Sequence, residues 1–148
     1  MNYFGSIFAI VVCIAMSAYF SATETAFSSL NKTRLKVLAD NGNKQAALAL
    51  KLSKDYDKLI STILIGNNIV NNVATTIGAV LFIHLIDEVT GPTVSAIVLT
   101  VVILIFGEVS PKSLAKEMPE TVVIFFFFFF FFFFFFFFFF FFFFFFFF

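Results

Sequence analysis

Three long stretches of apolar residues, each free of Lys and Arg, alternate with short polar segments along the chain. They are Tyr3 to about Phe20, Leu59 to Ile86, and Val89 to Phe106. Each approaches the length of about 17–25 residues that an α-helix needs to cross about 30 Å of hydrocarbon. The pattern therefore predicts an all-α integral membrane protein with three transmembrane helices, at about residues 3–28, 59–86 and 89–110.

The first stretch also has some features of a cleaved signal peptide, because small residues such as Ser17 and Ala22 follow its apolar core. A signal peptide begins with cations and has an apolar core of about 7–15 residues. No cation precedes this stretch, and its apolar core is longer. We therefore interpret it as a retained transmembrane helix.

The cations predict the orientation of these helices. Most of them lie between the first and second stretches: Lys32, Arg34, Lys36, Lys44, Lys51, Lys54 and Lys58. The other two, Lys112 and Lys116, follow the third stretch. Since loops rich in Lys and Arg stay in the cytoplasm, the N-terminus is predicted to lie outside and residues 31–58 inside. The protein is expected to be a multi-pass protein of the plasma membrane.

Residues 31–58 are themselves predicted to be helical. Apolar residues such as Leu35, Leu38 and Leu50 have helical spacing on either side of the turn sequence Asp40-Asn41-Gly42-Asn43. One interpretation is a cytoplasmic juxtamembrane helical belt that lies on the membrane surface with its lysines toward the lipid headgroups. The alternative is a solvated helical hairpin that only joins two spans.

Composition narrows the class of protein further. The net charge is zero, which gives no basic footprint for nucleic acid, and Cys13 has no second cysteine with which to form a disulfide. Residues 125–148 are an uninterrupted run of phenylalanine. A run of T bases encodes phenylalanine, so we interpret this tail as a sequencing artefact. The interpretable domain is residues 1–124.

The second apolar stretch contains a cluster of asparagines, Asn67, Asn68, Asn71 and Asn72, preceded by Gly66. On a helix, Asn67 and Asn71 share one face as i and i+4 neighbours. Asparagine side chains often hydrogen-bond between transmembrane helices and join them, which is one explanation. A cluster of this size beside a glycine exceeds that need and favours a binding site.

The third stretch ends in Gly107-Glu108-Val109-Ser110-Pro111-Lys112. An ionisable residue at membrane depth is by default a candidate functional group. In an α-helix Pro111 cannot donate to the carbonyl of Gly107, so this oxygen and the Glu108 carboxylate would make half of a cation site. The alternative is that Glu108 lies at the membrane interface and pairs with Lys112 at i+4.

Oxygen donors dominate the polar groups of the apolar stretches. Hydroxyl residues at positions 21, 25, 28 and 29 follow helical spacing at the end of the first stretch. Together with the asparagines and the Gly107-Glu108 pair, they suit Mg²⁺, Ca²⁺ or Na⁺ rather than Zn²⁺ or Cu⁺. The sequence has no nucleophile with its base and no phosphate-binding loop, so no enzymatic activity is predicted.

Three segments resemble the signatures of one membrane-protein family. They are Phe20-Ser21-Ala22-Thr23-Glu24-Thr25-Ala26, Gly66-Asn67-Asn68-Ile69-Val70-Asn71 and Gly107-Glu108-Val109-Ser110-Pro111-Lys112. In this order and spacing they are similar to the transmembrane domain of the CNNM/CorC family, once called domain of unknown function 21 and labelled hemolysin-related. The resemblance covers nearly all of residues 1–124.

The resemblance implies a homodimeric domain of three spans that exports Mg²⁺ in exchange for Na⁺, and it leaves open the preference between Mg²⁺ and Co²⁺. Side-chain oxygens for one dehydrated Mg²⁺ would come from Ser21, Asn67, Asn71 and Glu108. Gly66 and Gly107 would mark backbone breaks at the site.

Family members usually continue into paired cytoplasmic CBS domains that bind ATP. No such domain is found in this sequence, so ATP binding is not expected of it. Two other functions stay open. One is a membrane scaffold or sensor that binds Mg²⁺ without transporting it, and the other is a pore-forming hemolysin.

Overall fold

The computed structural model describes residues 3–125, and all its regular elements are helices. The phenylalanine run after Phe125 lies outside the described residues. Three helical stretches are long and apolar enough to cross a membrane: Tyr3–Ser29, Lys44–Leu85 and Gly91–Glu117. The predicted fold class, an all-α membrane protein with three spans, is confirmed.

The first span is α1 (Tyr3–Ser29), and two short helices follow it, α2 (Lys32–Asp40) and α3 (Lys44–Leu52). A 3-10 turn at Ser53–Asp55 then leads into the second span, α4 (Tyr56–Leu85).

Asparagine caps define the two short helices. The side chain of Asn31 accepts hydrogen bonds from the N–H groups of Thr33 and Arg34 at the start of α2. Asn43 accepts one from Ala46 at the start of α3. Between the helices Gly42 has a φ of 90°, a left-handed conformation that glycine adopts without strain. The predicted break at Asp40-Asn41-Gly42-Asn43 is confirmed, while the belt on the membrane surface stays a prediction.

The third span is one continuous helix in three parts: α5 (Gly91–Val102), a π-helical segment (Ile103–Val109) and α6 (Ser110–Glu117). In the π-helical segment the N–H of Ser110 donates to the carbonyl of Ile105, five residues back. Pro111 falls in the first turn of α6, directly after the π-helical segment, and the helix runs on to Glu117. The helix therefore continues past the predicted end of this span near residue 110.

Two apolar clusters hold the helices together. The first lies between the three spans and contains Ile10, Cys13, Val70, Ala74, Leu81, Leu99 and Ile103. It joins the N-terminal half of α1 to the C-terminal half of α4, so these two helices run antiparallel. The second joins the other end of the spans to α2 and α3 and contains Ala26, Phe27, Leu35, Ala46, Ala49, Ala115 and Val123. The α2–α3 hairpin is therefore part of the folded core.

Asp87 orders the short connection between α4 and α5. Its carboxylate accepts hydrogen bonds from the hydroxyl and the N–H of Thr90 and from the N–H of Val89. The Thr90 hydroxyl first, and then the two N–H groups, hold the pKa of Asp87 below its usual value. Gly91 follows this loop and lies against the backbone of Phe82, where a methyl group would come within 2.7 Å of the carbonyl oxygen. A glycine at this position therefore allows α5 to start close to α4.

Candidate cation site

Oxygen-bearing side chains of α1 and α4 meet the π-helical segment inside the bundle. The Ser17 hydroxyl donates a hydrogen bond of 2.8 Å to the side-chain carbonyl oxygen of Asn67, and Ser17 is fully buried. Gly107 lies at the same point, since a methyl group added to it would be 3.0 Å from Ser17 Oγ. The missing side chain at Gly107 thus lets the third span approach the Ser17–Asn67 pair.

Ser17 is a site residue that the sequence reasoning missed. It precedes Ser21 by four residues, so the hydroxyl spacing at the end of the first span extends one turn deeper into the membrane. That spacing was the available signal. Only the contact with Asn67, which is 50 residues away in the chain, places Ser17 beside a predicted ligand.

Ser21 and Asn71 lie on opposite sides of the Ser17–Asn67 bond. Each is one turn further along its own helix, and the two helices run in opposite directions. The displacements therefore add, and on the order of 10 Å of helix axis separates Ser21 from Asn71. In this arrangement the structure does not bring these two predicted ligands onto one ion.

Three buried side-chain oxygens within residues 3–125 have no hydrogen-bond partner: Ser21 Oγ, Asn71 Oδ1 and Ser95 Oγ. Ser95 belongs to α5 and faces Gly78 of α4, which follows Asn71 on the same helix face at i+7. The three oxygens therefore lie along one line through the bundle, with the Ser17–Asn67 bond between the first two. We call this line the polar seam, and its members are Ser17, Ser21, Asn67, Asn71 and Ser95.

Unpartnered oxygens in such a seam are unfavourable for folding. A buried polar group without a partner costs about 1–3 kcal/mol, and membrane-spanning helices have apolar alternatives at every position. Two glycines, Gly107 beside Ser17 and Gly78 beside Ser95, also let the helices approach each other closely along the seam. This combination is typical of a site that binds a ligand through oxygens.

Glu108 is half-buried next to Gly107 and forms no ion pair with any described residue. Lys112, its alternative partner from the sequence, binds Glu24 of α1 instead, with 3.3 Å between Nζ and Oε2. In the part of the chain that the structure describes, no three His, Cys, Asp or Glu side chains come together. A cation bound among the described residues would therefore take most of its ligands from neutral oxygens.

The two predicted backbone breaks turn out differently. Gly66 lies inside α4, which is continuous from Tyr56 to Leu85, so the expectation of a break at Gly66 is wrong. A methyl group there would lie 2.7 Å from Cζ of Phe20, and glycine leaves room for that ring. Gly107 lies in the π-helical segment, a distortion that is frequent at functional sites.

The π-helical segment also changes the carbonyl that Pro111 leaves without a donor. In an α-helix this carbonyl would belong to Gly107. The bonds of the π-helical segment span five residues, as from Ser110 to Ile105, and five residues before Pro111 stands Phe106. If this register extends to Pro111, the backbone oxygen that lacks its donor is that of Phe106 rather than that of Gly107.

The four asparagines divide between two faces of α4. Asn67 and Asn71 point into the bundle and are half-buried, whereas Asn68 and Asn72 are exposed on the outer face. The sequence grouping of Asn67 with Asn71 on one face is thus confirmed.

We expect Ser17→Ala to lower the free energy of unfolding by about 1 kcal/mol, because the partly buried Asn67 Oδ1 would lose its donor. Titration of the purified protein with SDS in detergent micelles measures this change. Ser28→Ala is the matched control, since Ser28 is exposed and its hydroxyl donates only to the carbonyl of Thr25. Equal stability of Ser17→Ala and the wild type would contradict the Ser17–Asn67 hydrogen bond.

Comparison with known proteins agrees with this architecture. Residues 8–147 match the family described as Cyclin M transmembrane N-terminal domain, CNNM. The chain is 43% identical over 107 residues to the UPF0053 inner membrane protein YfjD of Escherichia coli K12. The aligned residues cover 72% of this chain and 25% of that protein. A UPF0053 protein of Haemophilus influenzae is 42% identical over 113 residues, with 76% of this chain and 27% of that protein covered.

A more distant relative carries the name of an activity. The chain is 28% identical over 134 residues to the Polyamine export protein of Haemophilus influenzae. The aligned residues cover 82% of this chain and 31% of that protein. The chain spans less than a third of the length of each of these three relatives.

Proposed function

This chain belongs to the CNNM transmembrane-domain family, and from that premise we propose that it moves a small cation across the plasma membrane. The observation that carries the proposal is the polar seam, with its three unpartnered buried oxygens between the three spans. Oxygens in a line offer a cation successive partners in place of water. A domain that only had to fold would be more stable with apolar side chains at these positions.

Mg²⁺ is the cargo that we propose first, exported in exchange for Na⁺. Carboxamide, hydroxyl and carboxylate oxygens are the hard donors that Mg²⁺ prefers. Mg²⁺ requires near-octahedral ligands at about 2.0–2.1 Å, whereas Ser21 and Asn71 lie too far apart to share one ion in the described arrangement. A full ligand set therefore requires α1 to shift relative to α4, and such a shift is what alternating access supplies.

A polyamine is the second candidate cargo. The Lys112–Glu24 contact favours it, because Glu24 binds a primary ammonium on an alkyl chain, and polyamines carry the same group. One relative of this chain is named Polyamine export protein.

We place the N-terminus outside, the α2–α3 hairpin at the cytoplasmic surface, and a second copy of the chain against the outer face of α4. The distribution of Lys and Arg supports the orientation. The exposed Asn68 and Asn72 support the homodimer.

Flux through proteoliposomes tests the proposal. The purified full chain is reconstituted into vesicles, and Mg²⁺ and labelled spermidine are followed in parallel, with and without an opposing Na⁺ gradient. We expect protein-dependent Mg²⁺ flux that the Na⁺ gradient accelerates. Spermidine flux without Mg²⁺ flux would assign the second cargo. Mg²⁺ binding without flux of either cation would contradict transport and favour a sensor or scaffold, and leakage of a large dye would indicate a pore.

A further inference from the structure

An ion pair closes one end of the polar seam. Glu24 Oε2 of α1 and Lys112 Nζ of α6 are 3.3 Å apart. The Glu24 side chain is 27% exposed and the Lys112 side chain 42%, so the pair lies between the interior of the bundle and solvent. In the proposed orientation this end of the seam faces the cytoplasm.

Glu24 continues the seam along α1. Ser17, Ser21 and Glu24 follow one another at i, i+4 and i+7, which places them on one helix face. Ser17 and Ser21 are fully buried, and Glu24 is the first of the three that water reaches. One turn inward from Glu24, Ser21 is 1% exposed, and its hydroxyl has no partner among the described residues. A cation that leaves Glu24 inward would therefore meet an oxygen that no protein group occupies.

We propose that Glu24 is the first binding site of the transported cation at the cytoplasmic mouth, and that the Lys112 ammonium is its built-in competitor. The direction of movement rests on the proposed transport function. The ligand class is a cation that carries more than one charge, either a divalent metal ion or a polyamine. Such a cation displaces Lys112 from Glu24, and the freed ammonium turns into the solvent to which it is already partly exposed.

The competitor explains how the mouth selects its cation. The attraction of a carboxylate for a cation scales with the charge of the cation. A monovalent ion is attracted to Glu24 no more strongly than the tethered Lys112 ammonium is, and it also loses translational entropy when it leaves bulk solution. A divalent ion gains about twice the attraction, so it displaces Lys112 where K⁺ and Na⁺ do not.

Binding to the full-length protein in detergent tests this proposal without depending on transport. Isothermal titration with MgCl₂, and separately with spermidine, is carried out on the wild type, Lys112→Met and Glu24→Gln. We expect Lys112→Met to tighten binding about threefold to fivefold, because a partly exposed ion pair no longer competes. Glu24→Gln should weaken binding by a similar factor. Lys116→Met is the matched control, since Lys116 lies one turn further along α6, is exposed and forms no ion pair within residues 3–125.

The double variant Glu24→Gln/Lys112→Met separates competition at Glu24 from a general loss of positive charge. If Lys112 acts through Glu24, its replacement has no further effect once Glu24 is neutral. The same tightening in both backgrounds, or equal affinities of Lys112→Met and Lys116→Met, would overturn the proposal, as would the absence of saturable binding of either cation in every variant. If the binding affinities shift as expected but the vesicles show no flux, the Glu24 site is supported and only the proposed transport is refuted.

Discussion

Cells that express Glu108→Ala or Asn71→Ala are expected to lose Mg²⁺ efflux by at least about 100-fold while the protein still reaches the membrane. Glu108 carries the carboxylate closest in sequence to Gly107, which lies against Ser17. Without that charge, neutral oxygens alone would have to replace the water that Mg²⁺ gives up reluctantly. Asn71 Oδ1 is already buried without a partner, so its removal deletes a ligand at little cost to folding. Release of Mg²⁺ from preloaded cells measures the effect.

Matched variants distinguish the loss of a ligand from a general disturbance. Glu117→Ala removes an exposed carboxylate at the end of α6, and Thr62→Ala removes an exposed hydroxyl from α4. Both should retain efflux. Glu108→Gln keeps the shape of the side chain and should be as inactive as Glu108→Ala. Undiminished efflux in both Glu108→Ala and Asn71→Ala would refute the assignment of the site.

The second large effect is expected at the outer face of α4, where Asn68→Leu/Asn72→Leu should weaken dimerisation at least about tenfold. Both carboxamides are exposed in the single chain, and Asn72 lines a shallow groove of about 230 Å³ together with Val73, Thr76 and Ile77. A carboxamide that faces hydrocarbon lacks hydrogen bonds. A second copy related by twofold symmetry offers the same amides in return.

The monomer–dimer equilibrium in liposomes, followed by energy transfer as the protein is diluted in lipid, measures this change. Thr100→Leu is the control, because it replaces an exposed polar residue of α5 by the same apolar side chain. An unchanged equilibrium in the double asparagine variant would show that this face of α4 is not the interface. Dissociation by Thr100→Leu to the same extent would place the interface on α5.

The sequence by itself determined the features that depend on neighbouring residues. The length and apolarity of each stretch set the three spans, because each helix must by itself be long and apolar enough to cross the hydrocarbon layer. The Asp40-Asn41-Gly42-Asn43 turn followed from the preference of Gly42 for a left-handed backbone. Helical periodicity placed Asn67 and Asn71 on one face of α4 before any contact was known.

Only the tertiary structure decided which side chains meet across helices. Ser17 contacts Asn67 and Lys112 binds Glu24 rather than Glu108, because both contacts depend on how far one helix is shifted along another. Periodicity fixes the face of a helix and leaves this shift open. The π-helical segment at Ile103–Val109 also depends on contacts between helices. Its wider turns have weaker hydrogen bonds than an α-helix, so packing against neighbouring helices must stabilise them. Gly107 can approach Ser17 only in the register that this packing selects.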